Sequence, residues 1–170
     1  SATPFSARTR ISRLRRISDF VCVDAVGRSG SSSADNVVQL RAISAVMRAN
    51  REELATVDAL NCGNPVRALL HDIDIATQLI DYFAGLVYEL RGATIPMGDD
   101  IVNMTVREPV GVCARIVAYN HPLMFTASRL APAIAAGNTV IMKPPVQAPL
   151  SALRLMELIE GGAIGDVRMM

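Results

Sequence analysis

The first regular pattern of apolar positions in the chain is helical and begins near Asp35. Apolar residues recur there at steps of three and four positions, at Val37, Leu40, Ile43 and Met47. We expect Asp35 or Asn36 to cap this helix at its N-terminus. Asn50, followed by Glu53, has the spacing of a capping box and predicts a second helix, which Gly63 ends as a left-handed residue.

A third helix is the clearest element of the sequence, with Asn64 as its cap and Pro65 in its first turn. Its apolar stripe continues until Gly92 and consists of Val66, Leu69, Leu70, Ile73, Ala76, Ile80, Phe83, Val87 and Leu90. Four acids are predicted to lie off this stripe, namely Asp72, Asp74, Asp81 and Glu89. His71 lies among these acids, and we expect it to be solvated and without a functional role.

Beyond Gly92 the pattern becomes that of strands. Residues 101–107 alternate between apolar and polar side chains, which predicts a half-buried strand before a turn at 108–111. The predicted order then is a strand at 112–119, a helix at 122–136, a strand at 139–142 and a helix at 149–159. A strand, a helix and a strand in so short a stretch form a βαβ unit with parallel strands. The predicted fold class is therefore α/β, with N-terminal helices ahead of an incomplete parallel sheet.

Composition narrows the class of protein. Hydrophobic residues make up 51% of the 170 residues, which excludes disorder caused by low hydrophobicity. A net charge of +1 and an aromatic content of 4% argue against a nucleic-acid interface. Because no apolar run approaches the roughly 20 residues that span a bilayer, we also predict no membrane contact.

The sequence offers little for metal or disulfide chemistry. Cys22, Cys62 and Cys113 are odd in number, far apart and without CxxC spacing, which is typical of free thiols in a reducing compartment. His71 and His121 are the only histidines and lack the spacing of metal ligands. We therefore predict no metal site and a cytoplasmic location.

Residues 1–33 form an arginine- and serine-rich leader ahead of a domain over residues 34–170. The leader holds six arginines against two acids, Asp19 and Asp24. This composition is that of an organelle transit peptide, which would place the protein in the mitochondrion instead. A flexible, disordered arm or an atypical start of the domain is the alternative interpretation.

Polar, proline-bearing segments follow both predicted parallel strands. Residues 118–122 follow the first strand, and residues 143–147 follow the next. In an open parallel sheet, ligands bind in the crevice outside the carboxyl ends of the strands. The amide of Asn120 and the ammonium group of Lys143, the only lysine in the chain, suit an anionic or carbonyl-bearing ligand. These residues alone predict a nucleotide or cofactor crevice.

Linked sequence blocks around this crevice resemble the aldehyde dehydrogenase superfamily. The blocks are REPVGV at 107–112, AYNHP at 118–122 and LAPAIAAGNTVIMKP at 130–144. The resemblance begins near Gln39, ends at about Leu158, and covers the first part of the family's cofactor-binding domain. It implies a Rossmann-like sheet of the aldehyde dehydrogenase fold, NAD or NADP as the cofactor, and a small aldehyde as the substrate.

The resemblance also implies roles for individual residues. Asn120 matches the asparagine whose amide donates a hydrogen bond to the oxyanion formed when a thiolate adds to an aldehyde. Lys143 matches the lysine that hydrogen-bonds the adenosine ribose. The remaining matched cofactor positions are Val117, Ala118, Tyr119, Pro145 and Val146. Outside these blocks, Asn120 would be interpreted as a turn residue and Lys143 as a strand-end charge.

Several positions depart from the family pattern. His121 stands where the family usually has an aromatic residue, and Ala118 with Tyr119 stand where it often has Pro-Trp. Val146 stands where many NAD-dependent members carry a ribose-binding glutamate. Valine cannot accept a hydrogen bond from the ribose, so NADP stays open beside NAD.

The resemblance places the family's catalytic cysteine and general-base glutamate beyond Met170. Cys113 lies in a predicted buried strand and Cys62 ends a helix, so neither is assigned as the nucleophile. Gly161, Gly162 and Gly165 are predicted to form a loop and not a phosphate cradle. We therefore expect a fragment of an NAD(P)-dependent aldehyde dehydrogenase, inactive alone. The alternative is a non-catalytic nucleotide-binding or interaction module, which associates through an uncovered sheet edge.

Overall fold

The computed structural model of the chain describes residues 21–23, 32–160 and 168–169. Its elements are β1 (Val21–Val23), α1 (Ser33–Ala49), α2 (Arg51–Cys62), α3 (Val66–Leu86), β2 (Thr94–Pro96), β3 (Val102–Met104), β4 (Val112–Ile116), α4 (Pro122–Ala135), β5 (Thr139–Lys143), α5 (Leu150–Glu160) and β6 (Arg168–Met169). This order of helices and strands confirms the predicted α/β class. The glycine loop predicted at 161–165 lies outside the described residues.

The first two helices form where their apolar periodicity predicts, but their N-terminal caps differ. Ser32, not Asp35 or Asn36, caps α1, and Asp35 completes a capping box with it. Asn50 occupies the N-cap position of α2, as predicted, but its amide donates to the carbonyl oxygen of Val46 at 2.8 Å and it makes no side-chain capping hydrogen bond. The α1 cap was wrong because the Ser32 hydroxyl lies three positions before Asp35 and caps the helix, and the capping box at Asn50 and Glu53 was wrong because the Asn50 amide binds the end of α1 instead. Gly63 ends α2 with a φ of 81°, as predicted.

The third helix is shorter than its apolar stripe predicts. It ends at Leu86 and continues as a single 3-10 turn over Val87–Glu89. Pro65 occupies its N-cap position, and Asn64 does not cap it, since the Asn64 amide donates to the carbonyl oxygen of Asn120 at 3.1 Å. The stripe nonetheless forms the centre of the core, through its buried residues Leu69, Ile73, Ala76 and Ile80.

The main sheet is mixed and not wholly parallel. Its strand order is β4-β5-β1-β6. Strands β4 and β5 are parallel, as predicted, with Ile116 opposite Lys143 at their carboxyl ends. Strand β1, which lies within the predicted leader, pairs antiparallel with the other side of β5 and so adds an antiparallel strand to the predicted parallel pair. Strand β4 stops at Ile116 and not at residue 119, because the chain turns there toward α4.

The strand predicted at residues 101–107 is wrong in length and burial. Only Val102–Met104 is a strand, and it pairs antiparallel with β2 in a separate two-stranded sheet. Val102 is 77% exposed, and only Asn103 among the three is partly buried. The alternation of side chains suits a pleated strand, but neither face of this hairpin packs on the core, so the expected burial is missing.

The helices bury one core against β5. Leu40 and Ile43 of α1, Leu130 of α4 and Met142 of β5 are at most 1% exposed. Such close-packed apolar contacts hold the helices and the sheet in a fixed relation. Among the described helices, none is long and apolar enough to cross a membrane. In the described part of the chain, the outer side of β4 carries no strand, and association through this edge stays a prediction.

Candidate functional site

The two strand ends predicted to form a crevice lie side by side. The backbone N–H of Val117 donates to the carbonyl oxygen of Lys143 at 3.2 Å, one residue beyond the last paired positions of β4. Residues 118–120 and residues 144–146 therefore leave the same edge of the sheet. This is the edge at which open α/β sheets bind their ligands.

The predicted site residues differ in their accessibility. Ala118, Tyr119, Asn120 and Val146 are exposed, with Tyr119 65% and Val146 61% exposed. Val117 and Lys143 are partly buried at the two strand ends, while Pro145 is buried. Among the described residues, the side-chain amide of Asn120 has no hydrogen-bond partner, so its N–H groups are available to a ligand. The buried ring of Pro145 can shape the crevice but presents little surface to a bound molecule.

Helix α4 begins immediately after this turn. His121 occupies its N-cap position and Pro122 its first helical position. Proline is favoured there because the backbone N–H that it lacks would have no partner within the helix. The helix ends at Ala135, and Gly137 follows its C-cap residue with a φ of 77°. The Asn138 side chain then accepts from the Gly111 N–H at 3.0 Å. The AAGN segment thus ties the end of α4 to the start of β4.

A hydrogen bond between α3 and this turn was not predicted from the sequence. The Nδ1 atom of His121 lies 2.7 Å from Oδ2 of Asp72. The sequence analysis predicted Asp72 to lie off the apolar stripe, and this was wrong. Its side chain is only 10% exposed. Its spacing could have indicated this, because Asp72 follows Leu69 by three positions and precedes Ala76 by four, both of which are buried.

A second buried carboxylate lies beneath the same region. The hydroxyl of Ser151 donates to Oδ1 of Asp58 at 2.7 Å, and both residues are at most 1% exposed. Burial raises the pKa of Asp58, and hydrogen bonds from Ser151 and from the Leu123 backbone N–H partly oppose this rise. Asn61 accepts from the backbone N–H of Leu150 at 2.9 Å. The C-terminal half of α2 therefore holds the first turns of both α4 and α5.

A shallow groove of about 740 Å³ lies elsewhere, along α3 and the start of α2. It is lined by Arg51, Pro65, Arg67, Ala68, Leu70, His71 and Asp74 and by none of the predicted site residues. His71 is exposed, as predicted. Arg51 donates twice to Asp74, at 2.7 and 2.6 Å, and this hydrogen-bonded pair lowers the pKa of Asp74. The charges of Arg51 and Asp74, which both line the groove, thus neutralise each other. We assign this groove no ligand.

The cysteines in the described ranges are not placed for catalysis. Cys62 ends α2 and Cys113 lies in β4 opposite Val140, and both are partly buried free thiols. Within residues 21–23, 32–160 and 168–169, no three His, Cys, Asp or Glu side chains are grouped so that they could hold a metal ion.

Comparisons with known proteins show which sequences this chain resembles. The sequence matches the family described as "Aldehyde dehydrogenase family" over residues 31–164. Aldehyde dehydrogenase tropH of Talaromyces stipitatus is 50% identical over 133 residues, which are 76% of this chain and 26% of that protein. The NADP/NAD-dependent aldehyde dehydrogenase PuuC of Escherichia coli is 40% identical over 80% of this chain and 28% of its own.

Solved structures agree with the sequence comparison. The NAD+ complex of the aldehyde dehydrogenase from Bacillus cereus superposes with a TM-score of 0.76 and is 32% identical, covering 83% of this chain and 30% of that one. The chain thus spans between 26% and 30% of the length of these three relatives. Since the family match covers most of the sequence, the chain belongs to the aldehyde dehydrogenase family.

Proposed function

We propose that this chain supplies the oxyanion donor and part of the cofactor wall of an NAD(P)-dependent enzyme that oxidises aldehydes to carboxylic acids. The observation that carries this proposal is the hydrogen bond from Val117 to Lys143. It joins the two segments that hold the residues with family roles, at the edge of the sheet where cofactors bind. Relatives whose names state NAD or NADP support the choice of cofactor.

Asn120 acts as the oxyanion donor in this proposal. When a thiolate adds to the aldehyde carbon, the carbonyl oxygen gains negative charge, and a fixed N–H nearby stabilises that charge. The exposed amide of Asn120 can supply such an N–H, and its backbone carbonyl group is held by Asn64. As a neutral donor, the amide needs no change of protonation during the reaction.

The dinucleotide lies against the other predicted residues. Lys143 offers three N–H donors to ribose hydroxyls or to a 2′-phosphate. Val117, Ala118 and Tyr119 form the segment after β4 and lie on the other side of the bound dinucleotide. Pro145 and Val146 continue from Lys143 along the crevice. A bound nicotinamide would accept the hydride released by the substrate. Because Val146 carries no carboxylate, the site accepts NADP as well as NAD.

A chimeric enzyme tests the role of Asn120. Residues 31–164 would replace the matching segment of the tropH relative, which supplies the rest of a complete enzyme. Loss of one oxyanion donor lowers kcat by about 10²–10³-fold, so Asn120→Ala in the chimera should show a loss of this size. Gln78→Ala, at an exposed position of α3, is the matched amide control and should leave kcat unchanged. An Asn120→Ala chimera with the parent kcat would contradict the proposal.

A non-catalytic role in nucleotide or protein binding is the second candidate. It is favoured by apolar side chains on the open strand β4, where Val112 is 66% and Ile116 82% exposed. In that case a second copy of the chain would pair along β4. Sedimentation velocity would then show dimers that Ile116→Lys abolishes. Monomers at all concentrations would exclude this mode of association.

We place the protein in the cytoplasm, with the mitochondrion as the alternative if residues 1–33 direct import. The free thiols of Cys62 and Cys113 support a reducing compartment. A fluorescently tagged chain, with and without residues 1–33, distinguishes the two locations. Mitochondrial signal that disappears on deletion of the leader would support import.

A further inference from the structure

The turn that carries Asn120 is tied to the helical layer at two consecutive residues. The amide of Asn64 donates to the carbonyl oxygen of Asn120 at 3.1 Å. The next residue, His121, contacts Asp72 of α3 at 2.7 Å. On the sheet side, Val117 begins the turn with its hydrogen bond to β5. The turn is therefore held from both layers of the fold.

The contact between Asp72 and His121 has a defined direction. An ionised carboxylate can only accept hydrogen bonds, so Nδ1 of His121 carries the proton and donates it to Asp72. The Asp72 side chain is 10% exposed, whereas that of His121 is 41% exposed. Without the imidazole donor, the mostly buried carboxylate of Asp72 would lose this hydrogen-bond partner. Because an unpaired buried carboxylate is costly, the hydrogen bond to His121 is strongly favoured.

The imidazole ring is also oriented by α4. Its centroid lies 5.6 Å from that of Phe125, in an edge-to-face arrangement at 75°. The guanidinium group of Arg129 lies 5.5 Å from the same Phe125 ring. Packing on one side and the hydrogen bond on the other leave the ring little freedom to rotate. The backbone of Asn120, directly bonded to His121, shares this restraint.

We propose that Asp72 and His121 are positioning residues that fix the turn of Asn120 for oxyanion binding. This inference rests on the proposed function of Asn120, but the restraint itself is a separate property that can be measured without activity. Neither residue needs to touch the substrate. Their effect is to hold the amide in place before the negative charge develops, which is how fixed donors outperform mobile ones.

Nuclear magnetic resonance of the full 170-residue chain tests the restraint. The backbone order parameter of Asn120 should be about 0.85 in the parent chain and fall below about 0.6 in Asp72→Ala and in His121→Phe. His121→Phe keeps an aromatic ring against Phe125 and removes only the donor, so it separates the hydrogen bond from the packing. The order parameters of α3 serve as the internal control for folding.

Two conservative variants should preserve the hydrogen bond between residues 72 and 121 and with it the order of the turn. Asp72→Asn keeps an oxygen that accepts from Nδ1, and His121→Asn places an amide donor close to the position of Nδ1. Both should keep the order parameter of Asn120 near that of the parent chain. The imidazole nitrogen spectrum should also show the proton on Nδ1 in the parent and in Asp72→Asn. An unchanged order parameter in both Asp72→Ala and His121→Phe would overturn the inference, as would a fall in Asp72→Asn equal to that in Asp72→Ala.

The chimeric enzyme connects the restraint to catalysis. Misplacement of a catalytic group costs up to about 10²-fold, so Asp72→Ala should lower kcat by about 10–100-fold with little change in KM, and Asp72→Asn should restore it. Equal losses of kcat in the two variants would overturn the positioning role. If Asn120→Ala alone had no effect on kcat, the proposed function would fail, while the order parameters would still decide whether Asp72 and His121 fix the turn.

Discussion

The backbone N–H of Val117 donates to the carbonyl oxygen of Lys143 across 3.2 Å, just beyond the last residue of β4. This bond extends the pairing of the two parallel strands by one step before their chains separate. The segment toward Asn120 and the segment toward Val146 therefore begin at a shared point. A ligand bound between the two segments would contact both, and the proposed cofactor site depends on this arrangement.

Val146 offers a test of cofactor choice. A glutamate at this exposed position would accept hydrogen bonds from ribose hydroxyls and repel a 2′-phosphate. We expect Val146→Glu to weaken NADP binding by about tenfold, or about 1.4 kcal/mol, and to strengthen NAD binding. Calorimetric titration of both dinucleotides measures the change in their affinity ratio.

Val146→Gln is the matched control for this substitution. Glutamine has the same length and accepts hydrogen bonds, but it carries no charge to repel a phosphate. It should therefore strengthen NAD binding without the loss of NADP affinity. If the ratio of the two affinities is the same in the parent chain and in Val146→Glu, then Val146 does not lie at the ribose.

Asp58 predicts a pH-dependent stability. Burial raises its pKa above the usual 3.8, so the folded state holds this proton more tightly than the unfolded state does. The stabilising contribution of the carboxyl group is complete below pH 3.8 and is lost as the pH rises through the raised value. Asp58→Asn cannot lose a proton, so its free energy of unfolding relative to the parent should increase between about pH 4 and pH 7.

Urea unfolding at several pH values measures this difference. Ser151→Ala removes the hydroxyl that hydrogen-bonds Asp58, and should destabilise the chain by about 1–3 kcal/mol at neutral pH. It should also raise the pKa of Asp58 further, since the Ser151 hydrogen bond lowers it. A difference between Asp58→Asn and the parent that is constant with pH would show that Asp58 titrates as a solvated group.

Two glycines should respond to alanine in opposite directions. Gly137 has a φ of 77°, and an added Cβ would lie 3.1 Å from Cγ of Pro109, so Gly137→Ala should destabilise the chain by about 1–2 kcal/mol. Gly85 lies in α3 with no atom within 4 Å of an added Cβ. Gly85→Ala should stabilise it by about 0.5–1 kcal/mol. Thermal unfolding measures both, and a shift of the same sign for the two variants would contradict this account.

The sequence predicted the elements whose signals are local. The apolar runs of β4 and β5 and the Gly137 and Asn138 pair after α4 placed the βαβ unit to within one residue at every boundary except the end of β4, which lies three residues earlier than predicted. The hairpin of β2 and β3 was mispredicted in burial because alternation describes a pleated strand whether or not anything covers it. The antiparallel position of β1 could not be predicted, since its partner β5 lies more than a hundred residues away along the chain.

The candidate site was also predicted only in part from the sequence. The residues after the two strands were found because polar groups that follow apolar strands stand out in the sequence. The hydrogen bonds that hold them were missed, because Asn64 resembled a helix cap and Asp72 resembled a surface acid. Each finds its partner in the turn of Asn120 and His121, about fifty residues away, and only the packing of α3 against α4 brings them together.

Titration calorimetry of Lys143→Met tests whether the dinucleotide binds at the carboxyl ends of β4 and β5. The parent chain should bind NAD and NADP, and loss of the ammonium donors should weaken both by about tenfold or more. Arg41→Met, at an exposed position of α1, removes a cation outside the crevice and should keep both affinities within about twofold. Equal affinities for Lys143→Met and the parent chain would contradict the account.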